Sequence, residues 1–328
     1  MSSIKKVADL AGVAVGTVSR VINNHPAVRE ETREKVLAAI QNLEYVPNEV
    51  ARNFKMQKSK MVALLIPTIW HPFFSELTYY IEDELDRNDY KLILCNSKGK
   101  PEKELYYYDM LNQNKVAGII GITYNDIKHR IMKEIPMISI DRHFREEVAC
   151  VTSDNYTGGR MALSQLILAG AKKPAFLGYN TNNALSIHSE VDLRKQGFID
   201  EARERGVSYT IFEIPDNDDH LDSHLKMLFT SEDLKLLDGV FVNGDLLAAQ
   251  FIKQARAHQI RVPEDVKVVG YDGIQHNECF HPFLSTIRQP VEEMARTSVQ
   301  LLIRGIEGED IQQQTYRLPV EFRKGDTT

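Results

Sequence analysis

Arg20, in the stretch VAVGTVSRVIN (13–23), is the N-terminal residue best suited to specific chemistry. A guanidinium on a helix can bond both major-groove acceptors of guanine, which discriminates between bases by about 1–3 kcal/mol. Val15 and Gly16 are small enough to let such a helix sink into the groove, and Thr17, Ser19 and Asn23 can grip phosphates and fix the register. Val18 and Val21 recur at the spacing that faces a partner helix. The periodicity alone fits a plain three-helix bundle with a solvated arginine equally well.

Other constellations are weaker. DNDDHLDSH (216–224) sets His220 and His224 four residues apart among four aspartates. It lacks the glutamate of a zinc-protease motif and reads as acids compensating the start of a helix. TGGR (157–160) has neither the lysine nor the spacing of a phosphate loop. No Ser/His/Asp or Cys/His set carries a local signature, so neither catalysis nor a metal or cofactor is expected.

The elements that would position Arg20 are three short helices. SIKKVADLA starts behind a capping Ser3 and stops at Gly12; VGTVSRVIN follows; EETREKVLAAIQNLEY puts Val36, Leu37, Ile40 and Leu43 on one face. Two helices joined by about three residues, with a third completing the core, form a helix-turn-helix. Pro47 then stops the third helix. PNEVARNFKMQKS offers Asn48 as an N-cap and only Val50, Ala51 and Phe54 to bury, which predicts a linker that folds on binding. From Met61 the pattern alternates short apolar strands (61–67, 91–97, 117–123, 135–141, 174–180, 209–215, 238–244, 266–273) with amphipathic helices (73–88, 101–114, 157–169, 189–205, 246–259, 290–304). That alternation implies parallel sheets covered on both faces, too many for one sheet, hence two α/β lobes.

A net charge of −6 seems to exclude nucleic acid, but its distribution does not. Residues 1–60 carry ten Lys/Arg against six Asp/Glu, and the remainder 30 against 40, so a basic head sits on an acidic body. Cys95, Cys150 and Cys279 are far apart and odd in number, which argues against a disulfide framework. MSSIKKVADLAG has no apolar signal-peptide core and no apolar run reaches the length of a membrane span, so a cytoplasmic protein is expected.

VADLAGVAVGTVSRVINN and VREETREKVLAAIQNLEYVPNEVARNFK resemble the DNA-binding head and hinge of the lactose-repressor/galactose-repressor (LacI/GalR) family of bacterial transcriptional regulators. The likeness continues through IPTIWHPFFSEL, SDNYTGG, LRKQGF, KVVGYDG and LSTIRQP, almost the whole chain, and is strongest to sucrose-type sugar-operon repressors of Gram-positive bacteria. It implies that Val15 and Gly16 read bases, that Arg20 reads guanine, and that Thr17, Ser19 and Asn23 contact phosphates. Gly16 has no side chain for a base, and Arg29 stands where the family has a capping Ser or Thr. A cation there opposes the helix dipole unless a phosphate receives it. In the hinge, with Asn48 and Ala51, Phe54 replaces the usual leucine that wedges open the central base step; phenylalanine can do the same.

For the body the resemblance implies a periplasmic-binding-protein-like pair of doubly wound parallel sheets with an effector between them. The expected layout is a helix-turn-helix domain (1–46), a hinge (47–60) and an effector-binding and dimerisation body (61–328), with one lobe from about 61–156 plus 290–315 and the other from about 157–285 plus the C-terminal segment. Phe73 and Phe74 follow a strand and suit the apolar faces of a sugar; Arg194, Asp245 and Asp272 match ligand-contacting positions, with Trp70 and Asn96 as further contacts. The expected function is a homodimeric repressor of a carbohydrate-utilisation operon, binding a pseudo-palindromic operator and controlled by a sugar or sugar phosphate. The alternatives are a cytoplasmic sugar-binding module or a corepressor-dependent catabolite regulator.

Overall fold

The computed structural model describes residues 3–22, 24–45, 59–114, 116–123, 125, 135–143, 148–180, 189–215, 221–230, 237–274, 283–311 and 314–328. The chain divides into two units, Met1–Ser59 and Lys60–Thr328.

In the first unit, α1 (Ile4–Ala11) begins where Ser3 accepts a hydrogen bond from the Lys6 amide at 3.4 Å and ends at Gly12, whose φ of 66° is the left-handed value glycine adopts without strain. α2 (Val15–Ile22) and α3 (Glu30–Asn42) follow. Arg29 occupies the N-cap of α3 with no side-chain cap bond, and Glu30 and Glu31 in the first turn supply the negative charge the helix dipole favours. Val7, Ala8, Val18, Val21, Val36 and Ala39 form the core. Leu37, expected among them, is 51% exposed. The α3 stripe runs through Val36, Ala39, Ile40 and Leu43, which leaves position 37 on the flank.

The second unit holds two six-stranded sheets. The first contains β1 (Met61–Ile66), β2 (Lys91–Asn96), β3 (Gly118–Gly121), β4 (Met137–Ile140), β5 (Ala149–Ser153) and β11 (Thr315–Leu318), in the order β11-β5-β4-β3-β1-β2, all parallel. The second contains β6 (Pro174–Asn180), β7 (Thr210–Pro215), β8 (Gly239–Val242), β9 (Lys267–Asp272), β10 (Ser285–Arg288) and β12 (Glu321–Arg323), in the order β12-β10-β9-β8-β6-β7. Only β12 runs antiparallel, against β10. Helices α4 (Pro72–Arg87), α5 (Pro101–Asn114) and α10 (Val291–Ile306) belong with the first sheet, and α6 (Asn155–Leu168), α7 (Leu193–Glu204), α8 (Leu221–Thr230) and α9 (Asp245–Ala257) with the second.

The chain passes between the sheets after β5, after β10 and between β11 and β12. β1 and β6 each have later strands on both sides, the switch points at which open α/β sheets take ligands beyond the strands' carboxyl ends. Among the described residues, no helix is long and apolar enough to cross a membrane.

The double glycine of TGGR makes a helix contact. A Cβ on Gly159 of α6 would lie 2.0 Å from the Arg194 carbonyl oxygen, and one on Gly197 of α7 2.0 Å from that of Tyr156. The two backbones touch, and their closeness fixes where Arg194 emerges.

Candidate functional site

On the head, α2 buries Val18 and Val21 and exposes Gly16 and Arg20, with Val15, Thr17 and Ser19 half-buried. Val15 also packs on the edge of the core, so it shares a base-reading face with a structural one. Arg29 is exposed. Arg33, not singled out by sequence, donates to Asn24 Oδ1 at 2.9 Å and to the His25 carbonyl at 3.2 Å, which pins the loop leaving α2. Asn23, Asn48, Ala51 and Phe54 lie outside the described residues.

In the body, the carboxyl ends of the two sheets meet over a polar cluster. Arg194, 5% exposed at the start of α7, donates from Nε to Asn155 Oδ1 at 2.7 Å and from Nη1 to the Asn243 carbonyl at 2.8 Å. The same Nη1 lies 3.8 Å from Asp272 Oδ1, and the guanidinium stacks over the Tyr271 ring at 3.6 Å. Asp272 Oδ1 also accepts from Gln289 Nε2 at 2.8 Å. Ser153 then joins the first sheet to the second, donating to Gln289 Oε1 at 2.8 Å and lying 3.3 Å from the Tyr271 hydroxyl.

His71, the N-cap of α4, accepts from the Phe73 amide at Nδ1. A neutral ring therefore carries its proton on Nε2, 4.0 Å from Asp272 Oδ2. Burial lowers the His71 pKa, opposed by the Asp272 charge. Asp141, at the end of β4, accepts from Thr152 Oγ1 at 2.7 Å. Asp141 and Asp272 have φ of 60° and 108°, conformations rare for residues with a Cβ. Strain held at two buried carboxylates facing one another across two sheets is characteristic of a binding site.

Further ion pairs cross between the lobes. Arg288 of β10 forms a two-pronged pair with Glu76 of α4. Glu190 of the second lobe receives Arg317 of β11 at 3.0 Å and His143 at 2.7 Å.

Arg194 and Asp272, expected from sequence, thus sit together. Asp245 is near them but engaged elsewhere: its Oδ2 accepts from the Ile274 amide at 2.8 Å and its Oδ1 from Thr286 Oγ1 at 2.6 Å. Phe73 and Phe74, 4% and 7% exposed, pack into the first lobe's core, and Trp70 is 89% exposed. The Asn96 side chain accepts from the Lys98 amide at 3.4 Å. Asn155, Asn243, Gln289, His71 and Asp141 were missed. Asp141 and Gln289 follow strands directly, the signal that singled out Asp272.

Burial pushes the Asp245 carboxyl well above the usual carboxylate range, and the neighbouring Asp272 charge pushes it further. A raised folded-state pKa gives stability that is full below the unfolded value of about 3.9 and is lost as pH rises through the folded one. Asp245→Asn never ionises. Its unfolding midpoint, measured by calorimetry from about pH 4 to about pH 8, should therefore gain on the wild type as pH rises. A difference independent of pH would show that Asp245 ionises as freely in the folded protein as in the unfolded chain.

Residues 3–48 match the family described as bacterial regulatory proteins, lacI family, and residues 163–328 match a periplasmic binding protein-like domain. The chain is 35% identical to the sucrose operon repressor of Streptococcus mutans, covering 100% of this chain and 99% of that one. It is also 35% identical to the ribose operon repressor of Bacillus subtilis, with the same coverage. Among solved structures, a LacI-family regulator from Enterococcus faecium with bound ribose is 26% identical with a TM-score of 0.71, covering 82% of this chain and 98% of that one. The lac repressor dimer bound to operator has a TM-score of 0.85 at 23% identity, covers 99% of this chain and 98% of that one, and shows the shared fold.

Proposed function

The chain belongs to the lacI family of bacterial regulatory proteins, and on that premise we propose that it represses a carbohydrate-utilisation operon under the control of a small sugar held between its two lobes. It is a DNA-binding transcriptional regulator, not an enzyme. The observation that carries the fuller reading is the Arg194–Asp272 pair, buried between two sheets among amide and hydroxyl groups. Hydroxyl recognition needs such mixed donors and acceptors.

In this reading Arg194 and Asp272 bond the effector, while Asp245 holds Thr286 and Ile274 in place behind them. Phe73 and Phe74 set the wall at the start of α4. On the head, Val15, Gly16 and Arg20 read bases, and Thr17, Ser19, Asn23 and Arg29 contact phosphates. Asn48, Ala51 and Phe54 enter the minor groove as the hinge. A second copy supplies the other half-site. Edge strand β2 exposes Leu94, and α4 exposes Tyr79, apolar ground for such a partner. A regulator of DNA without a secretory role works in the cytoplasm. Closing the lobes changes operator affinity by the difference in effector affinity between the two states.

The test is electrophoretic or fluorescence binding to candidate pseudo-palindromes at fixed salt, with and without a panel of sugars. Sequence-dependent binding that a sugar alters is the expected result. Sequence-dependent binding that no sugar alters would sink the effector half of the reading.

A further inference from the structure

We infer that the interlobe site takes an uncharged polyol and discriminates against its phosphate ester, an assignment that rests on the effector reading above and narrows it. The first ground is charge. Three carboxylates, Asp141, Asp245 and Asp272, are buried here with 6%, 1% and 5% of their surface exposed. Among the described residues, Arg194 is the cation that touches them, and its resources are spent. Nε and Nη1 already donate to Asn155 and to the Asn243 carbonyl, and Tyr271 covers one face. A phosphate is held by a two-pronged fork of donors, and Arg194 has no free pair to offer. Arg142, also buried, lies within the field of the buried Glu104 carboxylate, which Ser97 and Thr123 hold in place.

Helix N-termini are the second ground, because in α/β sheets they are the usual anion receptors. Those opening beside this cluster are already filled by the protein. His71 accepts from the Phe73 amide at the start of α4, and Asp154 accepts from the Thr157 amide at 3.0 Å at the start of α6. Asp245 opens α9 with its own negative charge. An incoming phosphate would meet a side-chain acceptor at each.

The third ground is a lone acceptor. Asn243 Oδ1 is buried and has no hydrogen-bond partner, and the main chain of that residue already receives Arg194. Such an atom calls for a donor, which a sugar hydroxyl supplies and a phosphate dianion does not.

The experiment uses the full-length protein with D-ribose, D-fructose and sucrose, each paired with its terminal phosphate ester. Binding is read by calorimetric titration and by the shift of the unfolding midpoint. At least one free sugar should bind, at least tenfold more tightly than its ester. Asp272→Asn should shrink that ratio severalfold by removing one repelling charge. An ester that binds as tightly as its free sugar, or tighter, overturns the charge assignment and leaves the effector reading standing. Binding by none of the probes, together with operator binding that none of them alters, overturns both.

Discussion

Arg194→Ala is expected to abolish the effector response and to cost about 3–5 kcal/mol of stability, the usual penalty for leaving a buried charge without its partner. The guanidinium is the hub of the interlobe cluster, bonded to Asn155 and to the Asn243 carbonyl, facing Asp272 and lying flat on Tyr271. Its removal leaves Asp272 opposite Asp141 and Asp245, with His71 at 4.0 Å and itself held neutral by burial. Arg194→Lys separates the two consequences. Lysine restores a positive charge but neither the fork nor the planar face, so it should recover much of the stability and little of the sugar response. Denaturant unfolding gives the first quantity, and sugar titration of the operator complex gives the second. An alanine variant as stable as the wild type and still responsive to sugar would remove Arg194 from the site.

Why Arg194 lies there was only half legible in the sequence. LRKQGF marked the residue, but the reason it reaches the cluster is the backbone contact of α6 with α7 at Gly159 and Gly197, and sequence spacing cannot report a contact between helices 38 residues apart. The long apolar strands and amphipathic helices were readable because burial on both faces writes itself as apolar runs. β5, β10, β11 and β12 were not: ACVTS, STIR, TYRL and EFR are short and carry polar residues. β5 and β10 are nonetheless fully buried, and their polar side chains are the material of the site, since Thr152, Ser153 and Thr286 bond the carboxylates or their supports. A strand that serves a polar cleft loses the apolar signature by which strands are recognised. Hence the fold could be read from its core, whereas Asn155, Asn243 and Gln289 needed the two sheets to be brought together.

Arg20→Ala should cut affinity for the preferred operator by about 5- to 150-fold, the equivalent of one bidentate guanine contact at 1–3 kcal/mol, and leave nonspecific binding nearly unchanged. Arg20 is exposed on α2, whereas the core of the head is built from Val7, Ala8, Val18, Val21, Val36 and Ala39. The substitution therefore removes no packing, and circular dichroism should show the same helices. Gly16, one turn earlier on the same helix, has nothing within 4 Å of the place its Cβ would take, which leaves the approach to the groove open but offers no second side chain to read a base. Discrimination on this helix then falls on Arg20, with Val15 partly committed to the core. Arg20→Lys keeps the charge and loses the fork, so it should keep the salt dependence of binding and forfeit most of the preference between operators. If alanine and lysine lower specific and nonspecific binding by the same factor, Arg20 serves the phosphate backbone, and base recognition must come from the hinge.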